Sequence, residues 1–238
     1  MAVTGIVLII FVVGHLVGNL QIFEHPDRIN GYSYFLQNLG PPLWIARTGL
    51  LACVAIHIWA ATVLTIADRR ARGPQAYRQN HWLKATVASR YMRWTGYVVL
   101  AFILFHLAQF TLGVPHSATF KTELPAYTMA GDYHVMGFVA VRAGTVVPDV
   151  RAMEVFAFQN RVVDLFYMVA IGLLSLHLLH GADSLFQTLG WRNESWGRGL
   201  RAIVTLACAA YFLGNLAIPG GVMAGVLTQN PPAAIAAR

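Results

Sequence analysis

Charged residues all but disappear from five long stretches of this chain and return in the segments between them. A membrane-spanning helix needs about 20 mostly apolar residues. The pattern predicts spans over roughly 4–23, 43–66, 94–114, 161–187 and 200–226. The first run reads as a span and not as a cleavable signal peptide. It lacks a basic leader, its apolar run is too long, and Glu24-His25-Pro26 is not a small-residue cleavage site. No internal repeat or low-complexity tract stands out. The expectation is an all-α integral membrane bundle, one transmembrane domain over 1–238 with five helices and a long loop at 115–160.

Composition sharpens this picture. The chain is 57% hydrophobic and 11% charged, against about 25% charged in ordinary globular domains. Its net charge of +7 is crowded into loops, so it reads as topology rather than nucleic-acid affinity. The loop from Asp68 to Arg93 carries Arg69, Arg70, Arg72, Arg78, Lys84, Arg90 and Arg93 against one acid. By the positive-inside rule that loop is cytoplasmic. Gly190–Gly199, with Arg192 and Arg198, agrees. The first loop mixes Glu24, Asp27 and Arg28. The 115–160 segment sets Lys121, Arg142 and Arg151 against Glu123, Asp132, Asp149 and Glu154. Both are placed outside. The N-terminus is then cytoplasmic and the C-terminus outside. Two cysteines, Cys53 and Cys208, sit in apolar runs. They exclude a disulfide scaffold, an attached Cys-x-x-Cys-His haem and an iron–sulfur cluster held by this chain alone. No P-loop or Gly-x-Gly-x-x-Gly fingerprint is present, so no nucleotide-binding catalytic domain is expected.

Histidines remain at membrane depth where other ionisable groups do not: His15, His57, His106, His177 and His180. An intramembrane ionisable residue is a functional hypothesis by default, although a lone one serves equally well as an interhelical hydrogen-bond partner. Depth gives the set a geometry. His15 and His106 each lie ~12 Å from the outer end of their spans at about 1.5 Å per residue. His57 and His177 lie ~14 and ~15 Å from the inner ends. The result is an outer pair and an inner pair, as two bis-histidine haems b require, because imidazole suits iron and bundle cores build cofactor sites from facing helices. Relay or packing histidines are the alternative. A copper or zinc site would want three or four ligands at one depth. Small residues one turn away, Gly18 by His15, Cys53, Ala60 and Ala61 by His57, and Gly181 by His177, leave room for a flat macrocycle, though they also suit close helix packing. His180, one turn from His177, is an alternative fourth ligand or a partner for a propionate or quinone.

The runs Gly14-His15-Leu16-Val17-Gly18-Asn19-Leu20, Ser89-Arg90-Tyr91-Met92-Arg93-Trp94-Thr95-Gly96 and His106-Leu107 carry a resemblance, as does His177-Leu178-Leu179-His180-Gly181 leading to Phe186-Gln187-Thr188-Leu189-Gly190. Together they resemble the five-helix diheme cytochrome b subunit of bacterial succinate dehydrogenase/fumarate reductase, respiratory complex II. The likeness covers the first four spans and their inner loops and is weak over 115–155 and the C-terminal tail. It implies a membrane anchor with two haems b and no dicarboxylate chemistry of its own. On its cytoplasmic side it would dock a flavoprotein subunit with covalent FAD and an iron–sulfur subunit, and it would pass electrons to quinone, usually menaquinone. The family pairs ligands from the first and third and from the second and fourth helices. Its fourth ligand maps onto His177 by the spacing to Gly190.

Candidates for haem propionates are Arg90, Arg93 and His81 on the inner side and Arg28 or Arg47 on the outer. A quinone needs a donor at each carbonyl and a proton path to water. Glu24, Asn30, Tyr32 and Gln37 are outer candidates; Ser89, Arg90 and Trp94 are inner ones. Two rival functions are the diheme subunit of another quinone-linked complex, such as a hydrogenase or formate dehydrogenase, and a non-redox transporter or proton channel with a histidine relay.

Overall fold

A computed structural model describes residues 1–75, 85–114, 124–193 and 195–229. The protein is 75% helix and 6% strand. Helix α1 (Ala2–Asn19) tightens into a 3₁₀ turn over Leu20–Phe23, and α2 covers Pro26–Gln37. Next come α3 (Pro41–Arg72) and α4 (Val87–Leu107), the latter widening into a π-helical turn over Ala108–Leu112. Four short strands follow: β1 (Ala126–Thr128), β2 (Tyr133–Val135), β3 (Phe138–Val141) and β4 (Val146–Pro148). Then α5 (Val150–Gln159), α6 (Arg161–Thr188) and α7 (Gly197–Met223) complete the fold. Among the described residues five helices are long and apolar enough to cross a membrane: α1 with its 3₁₀ turn, α3, α4 with its π turn, α6 and α7. The chain is a multi-pass membrane protein.

The helices match the expected spans in number and order but not at their ends. Helix α3 runs on to Arg72, because Arg69, Arg70 and Arg72 suit the negative end of a helix. Helix α4 begins at Val87, where the Thr86 hydroxyl accepts from Ser89 N–H at 3.2 Å as N-cap. Neither extension is apolar, so neither shows in the hydrophobic pattern. The same holds for α2, which starts on Pro26 at its first position. Segment 124–160, expected as a loop, contains strands and α5 instead.

Successive crossings place the starts of α1, α4 and α7 and the ends of α3 and α6 on one side, here the N-terminal face. The opposite, capped face carries α2, α5 and the strands. There β1 pairs antiparallel with β4, and β2 with β3. The β2–β3 turn, Met136-Gly137, has φ of 50° and 86°, the paired positive values of a type I′ hairpin. Asp27 on α2 ties the cap together. Its Oδ1 accepts from Tyr127 Oη at 2.8 Å and Ala130 N at 2.9 Å, and its Oδ2 from Gly131 N at 2.9 Å. The Asn30 amide donates to Asp149 Oδ1 at 3.2 Å, and its carbonyl oxygen accepts from Arg151 N at 3.0 Å.

The apolar core belongs to the capped half, where Ile22, Ile29, Val155, Phe158, Tyr167, Ile171, Ile218 and Leu227 interlock. Helix α3, by contrast, buries none of its residues. Outward-facing side chains such as Ile10, Trp59 and Leu206 are about two-thirds exposed, a surface that suits lipid and not water.

Candidate functional site

Two of the five intramembrane histidines sit at the N-terminal level and face a neighbouring helix in the same way. His57 on α3 places Nδ1 3.2 Å from the Thr4 hydroxyl of α1, with its Cε1 against Gly5. His177 on α6 places Nδ1 3.2 Å from the Thr95 hydroxyl of α4, with its Cε1 against Gly96. Each hydroxyl already spends its one proton on its own helix, Thr4 on Met1 O at 3.0 Å and Thr95 on Met92 O at 3.0 Å. With those protons on the main-chain carbonyls, each threonine oxygen accepts from Nδ1–H, the arrangement that leaves the Nε2 lone pair of each ring for a ligand.

The second level lies eleven residues further along both α1 and α4, ~16 Å at about 1.5 Å per residue. There His15 and His106 face each other with ring centroids 5.8 Å apart. Metal–imidazole bonds of about 2.0–2.1 Å put two rings on one metal roughly 6 Å apart. His106 Nδ1 is 3.3 Å from Tyr167 Oη, which itself donates to Gln109 Oε1 at 2.8 Å. With the tyrosine proton on Gln109, the phenol oxygen accepts from His106 Nδ1–H and Nε2 keeps its lone pair. The Asn19 amide, one turn away and half-buried, reaches His15 Nε2 at 3.3 Å. Phe11 stacks on His15 at 5.5 Å, while Phe102 and Phe110 flank His106. The Nε2 of Gln109, a buried residue in the π turn, has no hydrogen-bond partner among the described residues. The donor chemistry thus fits two bis-imidazole haems, one at each level. Among the described residues no group of three or more His, Cys, Asp or Glu is placed to hold a metal ion.

His180 opens onto a polar cleft of about 490 Å³ at the N-terminal face, which Ser89, Asp183, Arg192 and Arg201 also line. Asp183 there pairs with Arg192 at 3.2 Å and Arg201 at 3.1 Å. Arg93 pairs with Asp68 across the ends of α3 and α4 at 3.2 Å. Trp94 is exposed beside Tyr97, and Arg90 is exposed on the first turn of α4. Of the capped-face candidates, Glu24 pairs with Arg28 at 2.9 Å, and Gln37 bonds Ser33 on its own helix. Asn30 is fully buried with both ends of its amide occupied inside the cap. The Tyr32 ring lies over Gly18, so close that a Cβ there would fall 2.6 Å from it. That glycine makes room for a tyrosine and not only for the face of His15. Burial raises the Tyr32 phenol above its ordinary range. Arg47 lies over its neighbour Trp44. Arg78, His81, Lys84, Lys121 and Glu123 lie outside the described residues.

Thr4, Thr95, Tyr167, Gln109 and Glu154 were not singled out by sequence reasoning. Glu154 on α5 is partly buried, and burial pushes its carboxyl up to about 8. For the threonines a signal does exist. Residues 4–16 and 95–107 both read Thr-Gly-x-Val-x-x-x-Phe-x-x-x-His-Leu, so the expectation that the chain holds no internal repeat is corrected. The match escapes a hydropathy scan because both copies lie inside apolar runs. It emerges when the two helices are aligned on their histidines. No protein-family model, curated protein or solved structure matches the chain.

Proposed function

We propose that this chain is the diheme cytochrome b membrane anchor of a succinate:quinone oxidoreductase. One observation carries the proposal furthest: four intramembrane histidines fall at two levels, and at least three of them hold Nδ1 against a hydroxyl so that Nε2 is free. His57 and His177 would hold one haem b, His15 and His106 the other, and the haems, when bound, supply one-electron centres at two depths. The step from diheme anchor to succinate and quinone rests on the sequence resemblance.

On this reading the N-terminal face is cytoplasmic, since the basic ends of α3, α4 and α7 gather there. The flavoprotein subunit with FAD and the iron–sulfur subunit dock on that face, and the capped face looks outward from a bacterial cytoplasmic membrane. The chain's own part is to hold the two levels ~16 Å apart and to set each imidazole's basicity through its hydrogen bond. Ser89 and His180 line the cytoplasmic cleft, where a quinone headgroup would find donors. Glu24, Tyr32 and Gln37 mark the alternative region for menaquinone on the capped side.

A dithionite-reduced minus oxidised spectrum of the complex purified through this chain tests the reading, with haem counted per chain. Two non-covalent b haems and a co-purifying subunit with covalent flavin are expected. Absence of haem bands would favour a histidine relay. Haems without the flavin subunit would favour the membrane subunit of a hydrogenase or formate dehydrogenase.

A further inference from the structure

We infer that Thr4 and Thr95 are paired positioning residues that hold the N-terminal-level ligands His57 and His177 in one tautomer and set the redox potential of the haem between them. The inference rests on the diheme reading above and deepens it. Its observation is a matched arrangement on two different helix pairs. In each, a threonine from the neighbouring helix accepts from Nδ1 at 3.2 Å, and the glycine that follows it lets the imidazole Cε1 lie against the helix backbone. In each the hydroxyl proton is fixed on a main-chain carbonyl of its own helix, at 3.0 Å. With the hydroxyl turned to that carbonyl, its oxygen accepts from Nδ1–H and Nε2 keeps its lone pair for coordination.

The repeat explains why the device occurs twice. The Thr-Gly pairs and the histidines His15 and His106 stand at the same spacing, eleven residues, on α1 and α4. Each of those helices thus serves both levels: it supplies a ligand to the capped level and an acceptor to the N-terminal level. Helices α3 and α6 supply ligands to the N-terminal level only. An imidazole whose N–H is hydrogen-bonded is a more basic ligand, and a more basic ligand favours ferric iron. Loss of the hydroxyl should therefore raise the potential of this haem and leave the other unchanged.

The experiment is a redox titration of the intact membrane complex carrying Thr4→Val, Thr95→Val, Thr4→Ser or Thr95→Ser, with both haems counted beforehand. Valine keeps the shape and removes the oxygen; serine keeps the oxygen. The N-terminal-level haem is identified as the signal that disappears in His57→Ala. Each valine variant is expected to raise the ratio of reduced to oxidised haem at that level about threefold at fixed potential, ~28 mV at 59 mV per tenfold for one electron, or to lose that haem alone. Each serine variant should titrate like the unmodified protein. An unmodified complex without haem would overturn the functional reading and this inference together. Two haems with equal shifts at both levels, with no shift at either, or with serine behaving like valine, would overturn the inference and leave the functional reading standing.

Discussion

The two histidine levels of this bundle are built by opposite means. At the capped level the two histidines sit beside the apolar core, among Phe11, Phe102, Phe110 and Tyr167. The two rings come from helices sharing one repeat and meet directly. At the N-terminal level the rings come from α3 and α6 and lean on small polar side chains of α1 and α4. The capped level rests on aromatic packing with a tyrosine hydrogen bond to His106, the other on a threonine hydrogen bond to each ring. A packed site fails when volume is lost. A hydrogen-bonded site keeps its shape and shifts its electronics when one oxygen is removed.

The largest effect should separate the levels outright. His15→Ala or His106→Ala should remove one of two haems, and His57→Ala or His177→Ala the other, as counted by pyridine haemochrome. Depletion of the same haem by His15→Ala and His57→Ala would dissolve the distinction. Asp27→Ala comes next, because it orphans Tyr127 Oη and the N–H groups of Ala130 and Gly131 at about 1–3 kcal/mol each. The cap strands should become protease-sensitive while haem is retained at the N-terminal level. Haem lost equally from both levels would show that the cap supports the whole bundle. Tyr167→Phe removes the hydroxyl at His106 and should weaken haem retention at the capped level only, by roughly tenfold, the lower end for such outer-shell partners.

A smaller effect concerns acidity on the capped side. Glu154, with its carboxyl pushed up to about 8 by burial, is held neutral by the fold. Its contribution to stability is full below the ordinary carboxylate range, about 4.3, and is lost as pH rises through about 8. The thermal midpoint of the unmodified protein should therefore fall by several degrees between about pH 5 and about pH 9, and Glu154→Gln should flatten that slope. A midpoint rising with pH only in the unmodified protein would contradict the assignment. The smallest effect belongs to His180, which opens onto the polar cleft. His180→Leu should leave both haems low-spin in the electron paramagnetic resonance spectrum, and loss of the N-terminal-level signal would transfer the ligand role from His177.

Five crossings were legible in the sequence because lipid imposes a pattern no other solvent does. The helix ends were not, since Thr86 and the Arg69–Arg72 turn stabilise helix through capping and dipole effects that leave no apolar trace. The cap was illegible for a related reason. Segments 26–37 and 124–159 are held by polar side chains paired across more than a hundred positions, and single-chain periodicity carries no information about partners. The pairing of histidines by depth follows from span boundaries alone; the structure places His15 beside His106. The proton positions on the rings needed coordinates, because they depend on which carbonyl a threonine hydroxyl has already chosen. Asn30 shows the converse: a polar residue after the first span reads as ligand-ready until Asp149 and Arg151 are seen to occupy it.

The Asp27 junction also constrains how the polypeptide is made. Its acceptor follows the first crossing, and its donors follow the third, 100 to 104 positions later. During synthesis the carboxylate therefore waits, solvated, until α4 has been threaded through the bilayer and the segment behind it has been exported to the same compartment. A molecule inserted with α4 reversed would deliver Tyr127, Ala130 and Gly131 to the wrong side and leave the clasp open. Closure of the clasp is thus a record of correct threading, since only a chain whose α4 crossed in the right direction brings acceptor and donors together.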